Sequence, residues 1–264
     1  MPRRHRYWGN YSCYHITHRC HERRYLFRFE KYRDLYRRYL YEATRKFNVS
    51  VLAYVITSNH VHVVVATGRQ GRPMVSEAMQ HVHGEMGQHY KIARKREGSF
   101  WSNRFHATWI ESGVHLQRCL FYIDMIMVRA GVAEHPSQWR HSSAHELASG
   151  QQRYRIVDRQ CLCERLDVAD WRNYRQWYDG RIQEILARKI FAERQPFWTD
   201  SQAVGGAEWI KQATAQSGIK HYNTIELDCH WPEGVKTFLQ GEKIVLRLFN
   251  PLHEIDKLFI MNKI

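Results

Sequence analysis

The two most β-prone runs of this chain stand only two residues apart, and that spacing leaves the backbone little choice. Val49 to Thr57 (VSVLAYVIT) and His60 to Ala66 (HVHVVVA) are dense in branched side chains, with Ser58-Asn59 between them. Branched residues pack well on a pleated surface, and so short a link closes an antiparallel hairpin. Side chains alternate across a strand, so His60 and His62 share one face while Val61 and Val63 share the other. Their Cα atoms would lie about 6 to 7 Å apart, close enough for two imidazoles to converge on one cation. A pair of half-buried sheet histidines is the better account of the tripeptide when it is taken alone. The sequence contains its own control in His81-Val82-His83. That copy falls on a helical pattern, where i and i+2 point roughly 200° apart and cannot share an ion. Val82 belongs to the apolar stripe there, and both flanking histidines are expected in solvent.

The hairpin sits within a longer alternation of periods. Tyr11 to Cys20 (YSCYHITHRC) reads as a first strand. Lys31 to Asn48 turns helical, with Tyr36, Leu40, Ala43 and Phe47 on one face. Gly68 to Pro73 is a loop, followed by a helix carrying Val75, Met79, Val82 and Met86 on one stripe. Arg104 to Glu111 reads as a fourth strand, and a third helix runs from Val114 to Ala130 and stops at Gly131. This order predicts an α+β fold of ferredoxin-like type, an antiparallel sheet with helices packed on it. Ser149-Gly150-Gln151-Gln152 reads as a linker, dividing the chain into 1–150 and an extension, 151–264. The extension is expected to be mostly helical, with helices over Trp171 to Ile190 and Gly205 to Ser217; no motif assigns it a role.

Charge narrows the class of partner. Forty Lys and Arg against 26 Asp and Glu leave a formal charge of +14. Such a surplus favours a polyanion, because each phosphate neutralised releases condensed counterions. No run of ~18 apolar residues is present, so no membrane partner is expected. Met1 to Arg6 is basic without a following apolar segment, which is not the pattern of a secretory signal. Arg3, Arg4 and Arg6 read either as a basic arm for nucleic acid or as a solvated tail. The six cysteines are scattered with no CxxC, which fits a reducing cytoplasm. A zinc-binding regulatory module has weak support, because Cys161-Leu162-Cys163 lacks a second pair at finger-like spacing.

The third helix offers a candidate nucleophile. Leu116, Leu120, Ile123, Met127 and Ala130 form its apolar stripe, whereas Arg118, Tyr122, Ile126 and Arg129 fall on another face. A tyrosine with an arginine one turn away on each side suits attack on a phosphodiester: guanidiniums hold phosphate oxygens and favour phenolate over phenol. The chain has 15 tyrosines, and a helical tyrosine is usually an amphipathic packing residue.

Joined in order, these pieces resemble a known family. Ser58-Asn59-His60-Val61-His62-Val63-Val64-Val65 resembles the TSNHxHhhh segment of single-tyrosine HUH transposases, more narrowly the REP-associated tyrosine transposases. Gly98 to Ala107 (GSFWSNRFHA) is similar to their G-x-h-W-x-x-R-h-x-A segment. Tyr122-Ile123-Asp124 with Val128-Arg129-Ala130-Gly131-Val132 resembles the YI[DE]xNxVRAG helix, and His135-Pro136-Ser137 with Trp139 to Ser143 resembles the tail that follows. The resemblance spans about residues 10 to 147. It implies an HUH endonuclease-like fold in a bacterial, nucleoid-associated cytoplasmic protein. It implies that His60 and His62 bind Mg²⁺ or Mn²⁺, and that Tyr122 cuts single-stranded DNA bearing a hairpin. The product would be a 5′-phosphotyrosine link and a free 3′-OH, with Arg118, Arg129, Arg104, Arg3, Arg4 and Arg6 as DNA contacts. Relatives work as dimers or as monomers, so a homodimer and a monomer are both open.

One position departs from the pattern. The family usually places a polar amide one turn after its tyrosine, and Ile126 stands there instead. An isoleucine cannot coordinate a cation, and hard divalent ions collect oxygen ligands. Asp124 is at i+2 and points away from the Tyr122 face; Glu111, His106 and His18 are the other candidates. Two readings follow, a strand transferase or nickase with an altered metal site, and a hairpin-DNA-binding protein impaired in catalysis.

Overall fold

The computed structural model describes residues 6–95, 97–150, 153–220 and 223–227. The hairpin forms as its spacing requires, from β2 (Val49–Ile56) and β3 (His60–Thr67), and β1 (Cys13–Arg19) pairs antiparallel with β3. β4 (His106–Ile110) pairs antiparallel with the other edge of β1. The helices between them are α1 (Glu30–Lys46), α2 (Val75–Arg94), α3 (Val114–Asp124) and α4 (Ile126–Arg129). After these come α5 (Ser143–Ala148), α6 (Arg159–Arg165), α7 (Trp171–Ala187), α8 (Phe197–Asp200), β5 (Ala203–Gly205), α9 (Ala207–Ser217) and β6 (Thr224–Glu226). The fold is α+β, with sheet order β2-β3-β1-β4-β5-β6.

Register decides which side chains face which helices. His18, Ile16 and Tyr14 stand opposite Val61, Val63 and Val65, so these six share a face. That face carries α1 and α2: the His18 ring lies 4.3 Å from His83 on α2, and His83 bonds Tyr36 on α1 at 3.0 Å. Thr17 stands opposite His62 and His15 opposite Val64, which puts His15, Thr17, His60 and His62 on the other face, under α3 and α8.

The structure corrects four expectations. The sheet is mixed rather than purely antiparallel, because β5 runs parallel to β4, and β6 parallel to β5. The extension thus contributes strands as well as helices; each has only three residues, too few to show a period of two. The third helix is interrupted at Met125, whose ψ of −2° turns the chain before α4 resumes. Its stop is as expected: Gly131 at φ +68° donates to the Val128 carbonyl, and Val132 to that of Met127, the paired bonds of a glycine C-cap. Ala130 consequently lies at the exposed end of the stripe rather than within it. Finally, His83 is buried rather than solvated, because Tyr36 supplies a hydroxyl partner inside the core.

Chain beyond residue 125 also lines the far edge of the sheet. The Ile56 N–H donates to the His141 carbonyl, and the Asp158 N–H to that of Val51. Buried Glu146 accepts from the Ile156 and Val157 N–H groups through Oε1 and from the Tyr54 hydroxyl through Oε2, fastening this crossing to β2. Among the described residues no helix is long and apolar enough to cross a membrane.

Candidate active site

The hydrogen bonds of His15, His60 and His62 fix which nitrogen of each carries a proton. A carbonyl can only accept, so His15 Nδ1–H donates to Trp198 O at 2.8 Å. Neutral His15 then has a bare Nε2, which accepts from His62 Nδ1–H at 2.8 Å. That leaves the lone pair of His62 on Nε2. His60 reaches the same state by another route, its Nδ1–H donating to Asn59 Oδ1 at 2.6 Å. Neither Nε2 has a hydrogen-bond partner among the described residues. Both rings stay neutral: burial lowers His60 to about 3 and His62 well below its usual value, with Arg19 and Arg129 adding to both shifts. Two unprotonated imidazole nitrogens with their other nitrogens tied back offer two lone pairs to a divalent cation and leave its oxygen ligands to come from elsewhere. The residues present therefore fit the ion that the sequence suggests.

The two histidines line a cavity of about 410 Å³ together with Arg19, Arg23, Arg194 and Asp200. Tyr122 is not among the residues that line it, but Arg194 and Asp200 of that lining act electrostatically on its phenol. The Tyr122 side chain is only 2% exposed, packed edge-on against Phe191 at 6.4 Å and beside Trp198 at 6.2 Å. Arg129 sits 4.6 Å from the centre of the Tyr122 ring and donates to Phe191 O. Burial raises the Tyr122 phenol, and the charges of Arg129 and Arg194 act against that rise. Desolvation thus outweighs Arg129, which the sequence assigned with Arg118 to favouring phenolate; Arg118 is not among the charges that act on the phenol. Arg194 and Asp200, both from the extension, act electrostatically on Tyr122 and were not foreseen. No motif marks them, and the neighbour relation that brings them there spans more than 70 residues.

Comparison with known proteins bears on residues of this site. The family described as "Transposase IS200 like" has a model that matches residues 10–125, a span that contains His60, His62 and Tyr122. Residues 10–125 are thus similar to the IS200-like transposase family. No curated protein matches the chain. Among solved structures, that of a REP-associated tyrosine transposase bound to a REP hairpin is 18% identical, covering 60% of this chain and 98% of its own, at a TM-score of 0.48. A candidate transposase from Deinococcus radiodurans R1 is 14% identical, covering 40% of this chain and 84% of its own, at a TM-score of 0.30.

Of the remaining candidates, several are engaged elsewhere. Glu111 bonds the Gly206 N–H at 2.7 Å and lies 3.0 Å from His115. His106 Nε2 donates to Ser201 O, and His18 Nε2 to Asn103 O, although His18 still lines the cavity. Ile126 is buried at the start of α4. Arg118 is half-buried on α3. Arg104 is exposed and lines a second cavity of about 400 Å³ with Arg6, whose guanidinium lies 3.8 Å over the Phe105 ring. Burial and the neighbouring Arg104 lower Arg6 to about 10. Arg3 and Arg4 lie outside the described residues.

Glu30, Asp34 and His141 bring three potential ligand atoms within 4.8 Å of one another. Arg33 Nε donates to His141 Nδ1, so the neutral ring carries its proton on the nitrogen that faces Asp34. Arg140 pairs with both acids and Arg37 with Asp34. The acids are already neutralised, and a protonated nitrogen offers no lone pair, so this trio is an ion-pair network on α1.

Asp124 faces Tyr178, which donates to its Oδ2 at 2.7 Å, and Ser143, away from the histidines as its spacing requires. Burial raises its carboxyl to about 7, against the effect of those two hydrogen bonds. An unfolded Asp ionises near 4, so between about pH 4 and 7 the folded state keeps a proton that the unfolded state has lost. Stability from this group therefore falls as pH rises through that window. Asp124→Asn removes the penalty. Its effect on stability is expected to be more favourable at pH 8 than at pH 4, by on the order of 3 kcal/mol. Denaturant melts of both proteins at the two pH values check this, and equal effects would refute it.

Proposed function

We propose that this chain cuts and rejoins single-stranded DNA bearing a hairpin, through a tyrosine-linked intermediate. The observation that carries the reading is the relay Trp198–His15–His62, with its counterpart Asn59–His60, which leaves two imidazole lone pairs beside three arginines. His60 and His62 would hold Mg²⁺ or Mn²⁺, and the bound ion supplies charge that polarises a phosphate oxygen. Arg19, Arg23 and Arg194 hold the phosphate by charge-assisted hydrogen bonds. The Tyr122 oxygen attacks phosphorus as its proton leaves to water, the P–O3′ bond breaks, and the 3′ oxygen takes up a proton. The new ester keeps the phosphodiester energy, so a 3′-OH can reverse the step without ATP. Arg129 over the Tyr122 ring favours the phenolate once the cover of Phe191 and Trp198 opens.

The burial of Tyr122 favours a second reading, a protein that binds hairpins without cutting them. One experiment separates the two. The full chain is incubated with labelled hairpin-bearing single-stranded DNA, including repeats that flank its gene, in Mn²⁺, Mg²⁺ or chelator, and run on a denaturing gel. A metal-dependent covalent adduct is expected. Hairpin binding without an adduct supports the second reading, and absence of both rejects the two together.

A further inference from the structure

We infer that Asp200 of the extension supplies a carboxylate ligand to the divalent cation held by His60 and His62. This rests on the metal-dependent reading above and says how this chain completes the site without a polar side chain at Ile126.

Charge gives the first argument. Two neutral imidazoles bring no negative charge, and Arg19, Arg23 and Arg194 in the same cavity repel a cation. Among the residues lining that cavity Asp200 is the one carboxylate. Hard divalent ions prefer oxygen donors, and an acidic oxygen most of all.

The mounting of Asp200 gives the second. The residues either side of it are pinned to the face that holds the histidines. Trp198 O accepts from His15 Nδ1 and from the Thr108 hydroxyl, and Ser201 O accepts from Thr108 and from His106 Nε2. The His15 bond that sets the His62 tautomer is thus made to the same short segment that carries Asp200. The Asp200 side chain itself is exposed, and its Oδ1 accepts only from its neighbour Thr199, at 2.9 Å. It is not drawn up to the two Nε2 atoms, since the one described trio of ligand atoms within 4.8 Å is the Glu30 network. Binding requires the carboxylate to turn inward, a rotation that breaks a single surface hydrogen bond.

Metal-free full chain titrated with Mn²⁺ alone, followed by the electron paramagnetic resonance of the free ion, tests this without any activity. Wild type is expected to take up one Mn²⁺, and His60→Ala to lose it. Asp200→Ala is expected to weaken binding by at least about tenfold. Should alanine lower the melting midpoint, Asp200→Ser takes its place. Binding that needs His60 but is unchanged in Asp200→Ala overturns the inference and leaves the histidine site standing. No uptake by wild type overturns both.

Discussion

Tyr122→Phe is expected to leave no measurable covalent protein–DNA adduct, at least ~10³-fold below wild type, with the melting midpoint unchanged. The substitution deletes one oxygen that makes no hydrogen bond to the described residues. The ring keeps its packing against Phe191 and Trp198 and its contact with Arg129. Chemistry and folding are therefore separable at this position, which is rare for a side chain only 2% exposed. The comparison needs the adduct assay and a thermal melt on the same preparations. An adduct of wild-type yield in the variant would move the nucleophile to another tyrosine.

Trp198→Ala is expected to cost about 3 to 5 kcal/mol, the range for emptying a buried tryptophan site. Trp198 is fully buried, and its ring spans Phe197, Tyr122 and a bond from Nε1 to Gln195 Oε1. For a chain of this size the loss corresponds to a fall of roughly 6 to 20 °C in melting midpoint. The same change removes one wall of the Tyr122 cover, so tyrosine fluorescence or iodination at residue 122 should report greater access. A change below about 1 kcal/mol would mean that α8 does not pack on the histidine face in solution.

The elements set by local period were legible. The hairpin, α1, α2, β1 and β4 follow from alternation or from a stripe at helical spacing, and each is observed within a few residues of its expected bounds. What failed was non-local. His15 carries a clear alternation signal within β1, but its place beside His62 depends on a strand register that no local pattern encodes. The turn at Met125 falls at the start of the apolar stretch Met125–Val128, where no glycine or proline marks it. Arg194 and Asp200 reach the cavity by tertiary packing alone. The histidine pair could be read from one strand; the residues that set its protonation and charge could not.

Both edges of the four-stranded antiparallel core are occupied by chain from beyond the matched span. Ala203–Gly205 runs along β4, and the stretches at His141 and Val157 lie along β2. An uncovered strand edge offers a row of unpaired N–H and C=O groups, and proteins that present one tend to join edge to edge. A fragment ended at residue 125 would bare both rows together with the apolar face under Trp198. Such a piece, cut where the family match ends, would behave as a self-associating sheet rather than a miniature of the whole. The chain past residue 125 therefore caps both rows of backbone groups that the matched span would leave bare.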